Sequence, residues 1–258
     1  MKIYIMVDNE GNSGVYCSEQ VSNGSPLRQE GREYMTADVN ACADACKEAG
    51  CEVFVRDAHG ALIWDKLSAS VDACAMGKLG QQRMPGLAGC DGVILLGYHA
   101  MAGTAEAILE HTFNSRRVQN YYVNGEALGE LACDAAFCGE KGVPVIMASG
   151  DDKLCAECRH FLPWAATAQV KTGVTAQGGI LLSPSAAYAE IRRATLEAIE
   201  NFSRMKLYTV KTPLLFRVEG IERIDMPNPF ERPYVRILDG RTYEFDADTV
   251  EEALFRRL

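Results

Sequence analysis

The run Ile3-Tyr4-Ile5-Met6-Val7 is followed at once by Asp8-Asn9-Glu10. Consecutive apolar residues rich in β-branched and aromatic side chains predict a strand that is buried on both faces. Three later runs have the same character and alternate with helical patterns, namely Cys51–Val55, Val93–Leu96 and Val143–Met147. This alternation predicts an α/β fold, a mostly parallel sheet with helices on both faces.

Helix start signals accompany these strands. Ser25-Pro26 offers an N-cap and a proline at the first helical position, and apolar residues then recur every three or four positions up to Gly50. Ser183-Pro184 opens a second capped helix, which we expect to end near Met205. A third helical pattern covers Gly129–Gly142.

The chain beyond residue 205 has a different pattern. Tyr208–Val218 is strand-like, and two further apolar stretches flank Asp239-Gly240. An Asp-Gly pair suits a two-residue type I′ turn, so Val235–Leu238 and Arg241–Phe245 are predicted to form a hairpin.

A final helix completes the predicted organisation. Asp248 and Glu251 have the spacing of a capping box, which predicts a helix from there to Leu258. We therefore predict an α/β core over residues 1–205. A smaller C-terminal α+β domain over residues 206–258 is predicted to serve oligomer assembly or to cover the site.

The composition excludes several classes of protein. The 258 residues are 48% apolar and carry a net charge of −9, which excludes disorder and makes nucleic acid an improbable partner. No run reaches the roughly 18 uncharged apolar residues of a membrane span. The N-terminal run is short and ends in an acid, so we expect a cytoplasmic protein whose ten cysteines are mostly free thiols.

Potential metal ligands follow three of the predicted strands. Asp8 and Glu10 come after the first strand, Asp57 and His59 after the second, and His99 after the third. The carboxyl ends of parallel strands meet at one edge of a sheet, so these side chains are expected to lie together. Oxygen and imidazole donors without thiolate fit Zn²⁺ or Mn²⁺ in an open catalytic site, and a bridging carboxylate would allow two ions.

Several motifs occur together in a characteristic order. They are Val7–Gly14, Asp57-Ala58-His59, Gly97-Tyr98-His99-Ala100, Gly129-Glu130-Leu131, Ser149-Gly150-Asp151-Asp152 and Val170-Lys171. As a set, over roughly residues 1–205, they resemble the M55 peptidase family, the zinc-dependent D-aminopeptidases. The resemblance implies a dinuclear zinc aminopeptidase that degrades peptides and assembles as a ring-like homodecamer around its active sites.

The same resemblance implies roles for individual residues. His111 falls where the family has a catalytic histidine, which would act as general base or acid or stabilise the tetrahedral intermediate. The implied metal ligands are Asp8 as the bridge, Glu10 and His59 on one zinc, and His99 and Glu130 on the other. Asp134 departs from the family pattern, which has a neutral amide there. Its carboxylate is predicted to contact the ammonium group of the substrate or to alter the surroundings of the metal.

Two other classes of function remain open at this stage. A dinuclear phosphoesterase would use the same ligands, but it would need Lys or Arg near the metals to bind phosphate. A non-catalytic, shell-forming homologue would keep the fold and bind no metal. The pair Cys155 and Cys158 has no second pair in sequence to complete a thiolate zinc site.

Overall fold

The computed structural model describes residues 1–80, 82–223 and 226–256. Its helices are α1 (Arg28–Glu48), α2 (Glu130–Glu140), α3 (Asp152–Phe161), α4 (Pro184–Glu200) and α5 (Val250–Arg256). Its strands are β1 (Lys2–Val7), β2 (Glu52–Asp57), β3 (Ala73–Ala75), β4 (Gly92–Leu96), β5 (Val118–Val123), β6 (Glu126–Leu128), β7 (Val145–Asp151), β8 (Ala166–Thr175), β9 (Gly178–Leu181), β10 (Leu214–Gly220), β11 (Arg236–Ile237) and β12 (Thr242–Ala247).

A seven-stranded sheet forms the centre of the molecule, in the order β3-β2-β1-β4-β7-β8-β9. Its neighbours pair in parallel, except that β9 runs antiparallel to β8. The predicted α/β fold with a mostly parallel sheet is confirmed. Because β1 lies between β2 and β4, the three strands that precede the proposed ligands are neighbours, and their carboxyl ends share one edge.

Strand β1 separates two hydrophobic cores. Tyr4 and Met6 point into a core built with α2 and α3, whereas Ile3, Ile5 and Val7 point into a core built with α1 and α4. Side chains alternate across a strand, so a run that is apolar at every position is buried on both faces. Each large apolar side chain buried in this way stabilises the fold by about 1.5–3 kcal/mol. The predicted helices on both faces are confirmed.

A second, antiparallel sheet has the order β11-β12-β10-β5-β6. It combines the C-terminal strands with β5 and β6, which come from the middle of the chain. Phe216 of β10 joins the two parts, since its ring lies 5.2 Å from that of Tyr121 and 5.4 Å from that of Phe245. The C-terminal unit thus shares this sheet with residues 118–128, and a domain division at residue 205 stays a prediction.

The helix starts agree with the sequence to different degrees. Ser183 caps α4 as predicted, with its Oγ accepting from the backbone N–H of Ala186 and a proline at the first helical position. Helix α1 begins at Arg28, later than the predicted Ser25-Pro26 start. The difference arises because Arg28 N–H bonds to the carbonyl of Ser25, which closes a turn ahead of the helix.

The C-terminal hairpin is present with a different connection. Ile237 pairs with Tyr243, which places residues 238–241 in the loop. Neither Asp239 nor Gly240 has the positive φ that a type I′ turn requires, so the predicted two-residue turn is wrong. The preceding strand is also shorter than predicted at its start, because β10 begins at Leu214.

The cap of the last helix, which begins at Val250, lies one residue later than predicted. The Thr249 hydroxyl accepts from Glu252 N–H at 3.1 Å, in place of the Asp248 and Glu251 pair. The predicted end at Leu258 lies outside the described residues.

Two expectations about the chain as a whole can be compared with the structure. All ten cysteines are free thiols, as predicted. In the described part of the chain, none of the helices is both long and apolar enough to span a membrane.

Candidate metal centre

The loops after β1 and β4 are in direct backbone contact. Gly11 N–H donates to the Gly97 carbonyl at 2.8 Å. A Cβ on Gly11 would lie 1.8 Å from the Tyr98 carbonyl oxygen, so a larger residue does not fit there. Gly97 itself has a φ of 67°, in the left-handed region that favours glycine. These two glycines let the Asp8–Glu10 segment lie against the segment that carries His99.

The loop after β1 is also held by the buried Lys171 of β8. Its Nζ donates to the carbonyl oxygens of Glu10 at 2.7 Å, Asn12 at 2.9 Å and Val15 at 2.7 Å. An ammonium group has three N–H donors, so these three acceptors match its full capacity. Burial lowers the pKa of Lys171 to about 8, against the opposing charge of nearby carboxylates such as Asp151. Lys171 therefore fixes the backbone of the loop that carries Asp8 and Glu10.

One group of potential ligands consists of Asp8, Glu10 and His59, each of which offers an atom within 4.8 Å of the others. His59 Nε2 lies 3.0 Å from Glu10 Oε1. The turn that carries His59 is organised by Asp57, whose carboxylate accepts the backbone N–H groups of residues 59–62 at 2.6–3.2 Å. Asp57 thus positions His59 and has no oxygen directed at the group.

A second group consists of His99, His111 and Glu130. His99 Nε2 lies 3.2 Å from Glu130 Oε1 and 3.5 Å from Asp8 Oδ2, so Asp8 faces both groups. His111 Nε2 lies 3.6 Å from Glu130 Oε1, and its ring stacks on that of His99 at 3.9 Å. Glu130 is the first residue of α2, where the helix dipole favours a carboxylate. The structure therefore brings all six sequence-predicted site residues together.

The tautomers of two histidines follow from their partners. His99 Nδ1 is 3.0 Å from the carbonyl of Ala100, and His111 Nδ1 is 2.8 Å from the carbonyl of Leu109. A carbonyl oxygen can only accept, so the proton is on Nδ1 in each neutral ring. Each Nε2 then directs a lone pair towards Glu130. This is the usual arrangement of a metal-binding histidine, whose other nitrogen donates to a second group.

Three buried polar atoms in this cluster have no hydrogen-bond partner among the described residues. They are Glu10 Oε2, His59 Nδ1 and His99 Nε2. A buried polar atom left unsatisfied costs about 1–3 kcal/mol, so such atoms are uncommon in a folded protein. Two of them, Glu10 Oε2 and His99 Nε2, are an oxygen and an imidazole lone pair, the donors that a divalent cation such as Zn²⁺ prefers. The residues present therefore fit a metal centre.

The charges of the cluster also favour a cation. Burial alone would raise the pKa of Asp8 and of Glu130, but the adjacent imidazole of His99 holds both below their ordinary values. Burial would lower the pKa of His59, yet Glu10 raises it to about 9. Carboxylates that stabilise a protonated imidazole stabilise a metal cation in the same way. Metal binding must displace these protons, so it weakens as the pH falls.

The cluster opens into a cavity of about 200 Å³. Its lining residues are Asp8, Glu10, Ala58, His59, Arg83, Tyr98, His111, Phe113 and Glu130. Five of the six predicted site residues are among them, whereas His99 is 1% exposed and contacts Asp8 and Glu130 instead. The cavity thus has a carboxylate-rich lining with two apolar side chains.

Arg83 was not predicted from the sequence, where no motif surrounds it. Its Nε and Nη2 donate to the two carboxylate oxygens of Asp134 at 2.8 and 2.6 Å, and Tyr98 Oη donates to the same carboxylate at 2.7 Å. Asp134 is fully buried, so the predicted contact with the substrate ammonium is wrong. It instead holds Arg83, whose Nη2 lies 3.8 Å from Glu130 Oε2, and so alters the surroundings of the proposed ligand.

Glu157 of α3 adds a pH dependence to the stability of the fold. Its Oε2 accepts from Met101 N–H at 2.8 Å, its Oε1 has no partner among the described residues, and burial raises its pKa to about 7. The pKa in the unfolded chain is near 4.5, so stability that is present below that pH is lost as the pH rises through 7. We expect the free energy of unfolding of the wild type to fall by about 3 kcal/mol between pH 4.5 and 8 because of this group, and we expect Glu157→Gln to abolish that fall.

This expectation is measured by denaturant unfolding of the metal-free protein across that pH range. Glu200→Gln, on an exposed glutamate of α4, serves as the control and should follow the wild-type curve. If the free energy of unfolding changed with pH in the same way in wild type and Glu157→Gln, the raised pKa of Glu157 would be contradicted.

Fold and site together define an α/β protein with a candidate two-metal hydrolase centre. The sequence profile of peptidase family M55, described as D-aminopeptidase, matches residues 1–256, and the chain belongs to this family. The family inferred from the sequence motifs is confirmed.

Individual members of the family are similar over nearly the whole chain. A D-aminopeptidase from Bacillus subtilis (strain 168) is 29% identical over 256 residues, which cover 97% of this chain and 90% of that protein. The solved structure of the Zn-dependent D-aminopeptidase DppA from Bacillus subtilis, described as a self-compartmentalizing protease, superposes with a TM-score of 0.91 at 29% identity. The superposition covers 98% of this chain and 94% of that one.

Proposed function

We propose that this protein is a zinc-dependent aminopeptidase that removes the N-terminal residue from short peptides of D-amino acids. The observation that carries the proposal is the pair of adjoining donor groups, linked by Asp8, in a chain of the M55 family. The zinc dependence of the similar Bacillus structure supports the choice of metal.

Five side chains would hold two zinc ions, with Mn²⁺ as an alternative metal. They are Asp8 as the bridge, Glu10 and His59 on one side, and His99 and Glu130 on the other. Bound zinc supplies Lewis acidity towards a water molecule and towards the scissile carbonyl. Asp57, Lys171 and the backbone partners of the histidines hold these side chains in place.

His111 is proposed as the catalytic histidine. Its Nδ1 is fixed on the Leu109 carbonyl, which leaves the Nε2 lone pair on the cavity side to accept a proton from the attacking water and return it to the leaving amine. Leu109 and Phe113 both have positive φ, at 54° and 60°. Such residues cost of order 1–3 kcal/mol each and persist where the surroundings fix them. Here Phe113 N–H donates to Glu130 Oε1 at 2.7 Å.

The description of the family and the size of the cavity support action at the end of a peptide. The family to which the chain belongs is described as D-aminopeptidase. The cavity at the proposed metal centre has a volume of about 200 Å³, which is small for a peptide that continues on both sides of the scissile bond. We therefore propose exopeptidase activity on the N-terminal residue.

For assembly and location we propose a cytoplasmic homo-oligomer, with a decamer as its size. The self-compartmentalizing character of the similar Bacillus protease supports a closed assembly. Large apolar side chains that are exposed in the single chain, such as Ile180 at 69% and Phe230 at 96%, support burial between subunits. Residues 206–258 would serve that assembly or cover the site. A stable monomer in a sizing measurement would contradict the oligomer.

The test of the proposed activity is a panel of D- and L-aminoacyl amides and dipeptides, assayed after addition of Zn²⁺ or Mn²⁺. We expect release of the N-terminal residue, with D-dipeptides cleaved fastest. Intact peptides together with cleavage of p-nitrophenyl phosphate would favour a phosphoesterase. Absence of bound metal by mass spectrometry, with no hydrolysis of either substrate, would indicate a non-catalytic homologue.

A further inference from the structure

Arg83 brings a positive charge into an otherwise acidic cavity. Of the described residues that line the cavity, it is the only lysine or arginine. Its Nη2 lies 3.8 Å from Oε2 of Glu130, which is too far for a hydrogen bond. The guanidinium is therefore beside the proposed metal centre and donates no hydrogen bond to the proposed ligand Glu130.

The position of Arg83 is fixed by Asp134 and Phe113. Asp134 binds Nε and Nη2, and the guanidinium carbon lies 4.9 Å from the centre of the Phe113 ring. Asp134 is fully buried and also accepts a hydrogen bond from Tyr98, so its carboxylate is held in one position. The Nη1 nitrogen has no hydrogen-bond partner among the described residues, and the Arg83 side chain is 20% exposed.

A buried ion pair such as Arg83 with Asp134 contributes little net stability to a fold. Replacing such a pair by apolar side chains of similar volume is often neutral or stabilising, because taking two charges out of water is costly. A pair that leaves one donor edge of the guanidinium unused is suited to binding an anion, since arginine matches the planar geometry of a carboxylate.

We propose that Arg83 binds the terminal carboxylate of the substrate and thereby selects dipeptides with a free C-terminus. This inference rests on the proposed aminopeptidase function. In a dipeptide the terminal carboxylate lies within one residue of the scissile bond, and each further residue moves it away by roughly 3.5 Å. Arg83 Nη2 lies only 3.8 Å from the proposed ligand Glu130, which matches the terminal carboxylate of a dipeptide and not that of a longer peptide. A cavity of about 200 Å³ is also small compared with ligand sites of roughly 300–1,000 Å³.

The test compares kcat/KM for D-alanyl-D-alanine with that for its C-terminal amide, which has the same scissile bond and no terminal charge. A charge-assisted bidentate contact predicts a preference for the free acid of about 10- to 100-fold in the wild type. Equal values for the two substrates in the wild type would overturn the proposal.

Two variants test whether Arg83 is the source of the preference. Arg83→Lys keeps the charge and loses the fork, so the preference should fall several-fold. The double variant Arg83→Gln with Asp134→Asn leaves no unpaired buried charge, and we expect its preference to fall to within about 2-fold of unity. Arg56→Gln is the matched control, because the Arg56 guanidinium donates to the carbonyls of Ala75 and Gly77 and does not line the cavity. It should keep the wild-type preference.

A binding measurement separates the failure of this inference from that of the proposed function. The probes are the analogue of D-alanyl-D-alanine with a methyleneamine in place of the peptide group, and the C-terminal amide of that analogue. Calorimetry on the zinc-loaded protein should show tighter binding of the acid, and loss of that difference in the double variant, even if no peptide is hydrolysed. If the double variant instead lost the same factor of affinity for the acid and for the amide, and also bound less zinc, Arg83 would only position Glu130. That result would overturn the proposal.

Discussion

Asp8→Asn is expected to empty both halves of the metal centre. Asp8 belongs to the group with Glu10 and His59, and its Oδ2 also lies 3.5 Å from His99. Asparagine keeps the shape of the side chain but removes the charge that two cations would share. Loss of a group that only supports a ligand already costs about 10- to 100-fold in metal affinity or activity, so loss of a shared ligand should exceed about 100-fold in activity.

The measurement is metal content by mass spectrometry after dialysis, together with peptide hydrolysis. We expect about two ions per chain in the wild type and fewer than one in Asp8→Asn. Asp65→Asn, on an exposed residue, is the matched control and should retain the wild-type content. Two ions per chain in Asp8→Asn would show that Asp8 is not a shared ligand.

The second large effect is expected for His111→Ala. A positioned general acid or base typically contributes about 100- to 10,000-fold, so kcat should fall by that factor while the five proposed ligands retain the metal. The Nε2 lone pair on the cavity side is the feature responsible, and alanine removes it without adding a charge. Single-turnover hydrolysis and metal content, measured on the same preparation, check both parts of the expectation.

The matched control is His160→Ala, since the His160 side chain is 70% exposed. Near-wild-type turnover in His111→Ala with metal bound would exclude the catalytic role. A parallel loss of metal and activity would instead make His111 a ligand, which its place among His99 and Glu130 would then explain.

The central sheet was the part of the fold that the sequence predicted best. Strands that are apolar at every position predicted the doubly covered sheet, and the order β2-β1-β4 then places Asp8, Glu10, His59 and His99 at one edge. No local pattern distinguishes Glu130 or His111 from other acids and histidines. Their roles came from the family resemblance, because a helix start and an irregular loop reach the site only through tertiary packing.

Other parts of the site could not be predicted from local patterns. Arg83 and Asp134 are 51 residues apart, and neither has a neighbour that indicates a pair. Strand β5 lies in a second sheet and pairs with β10, about a hundred residues later, so its register depends on a partner that a local pattern does not contain. Propensity and periodicity report on neighbours in sequence, whereas these contacts depend on the final topology.

Lys171 has a consequence for the order of events during synthesis. It follows Glu10 by 161 residues, and it comes after every residue proposed to hold metal. A growing chain therefore contains all of these ligands before it contains the side chain that fixes the ligand loop. Strand β8 must also reach the sheet through β7 before Nζ can meet its three carbonyls. The ligand loop can therefore reach its final, fixed conformation only after residue 171 has been synthesised.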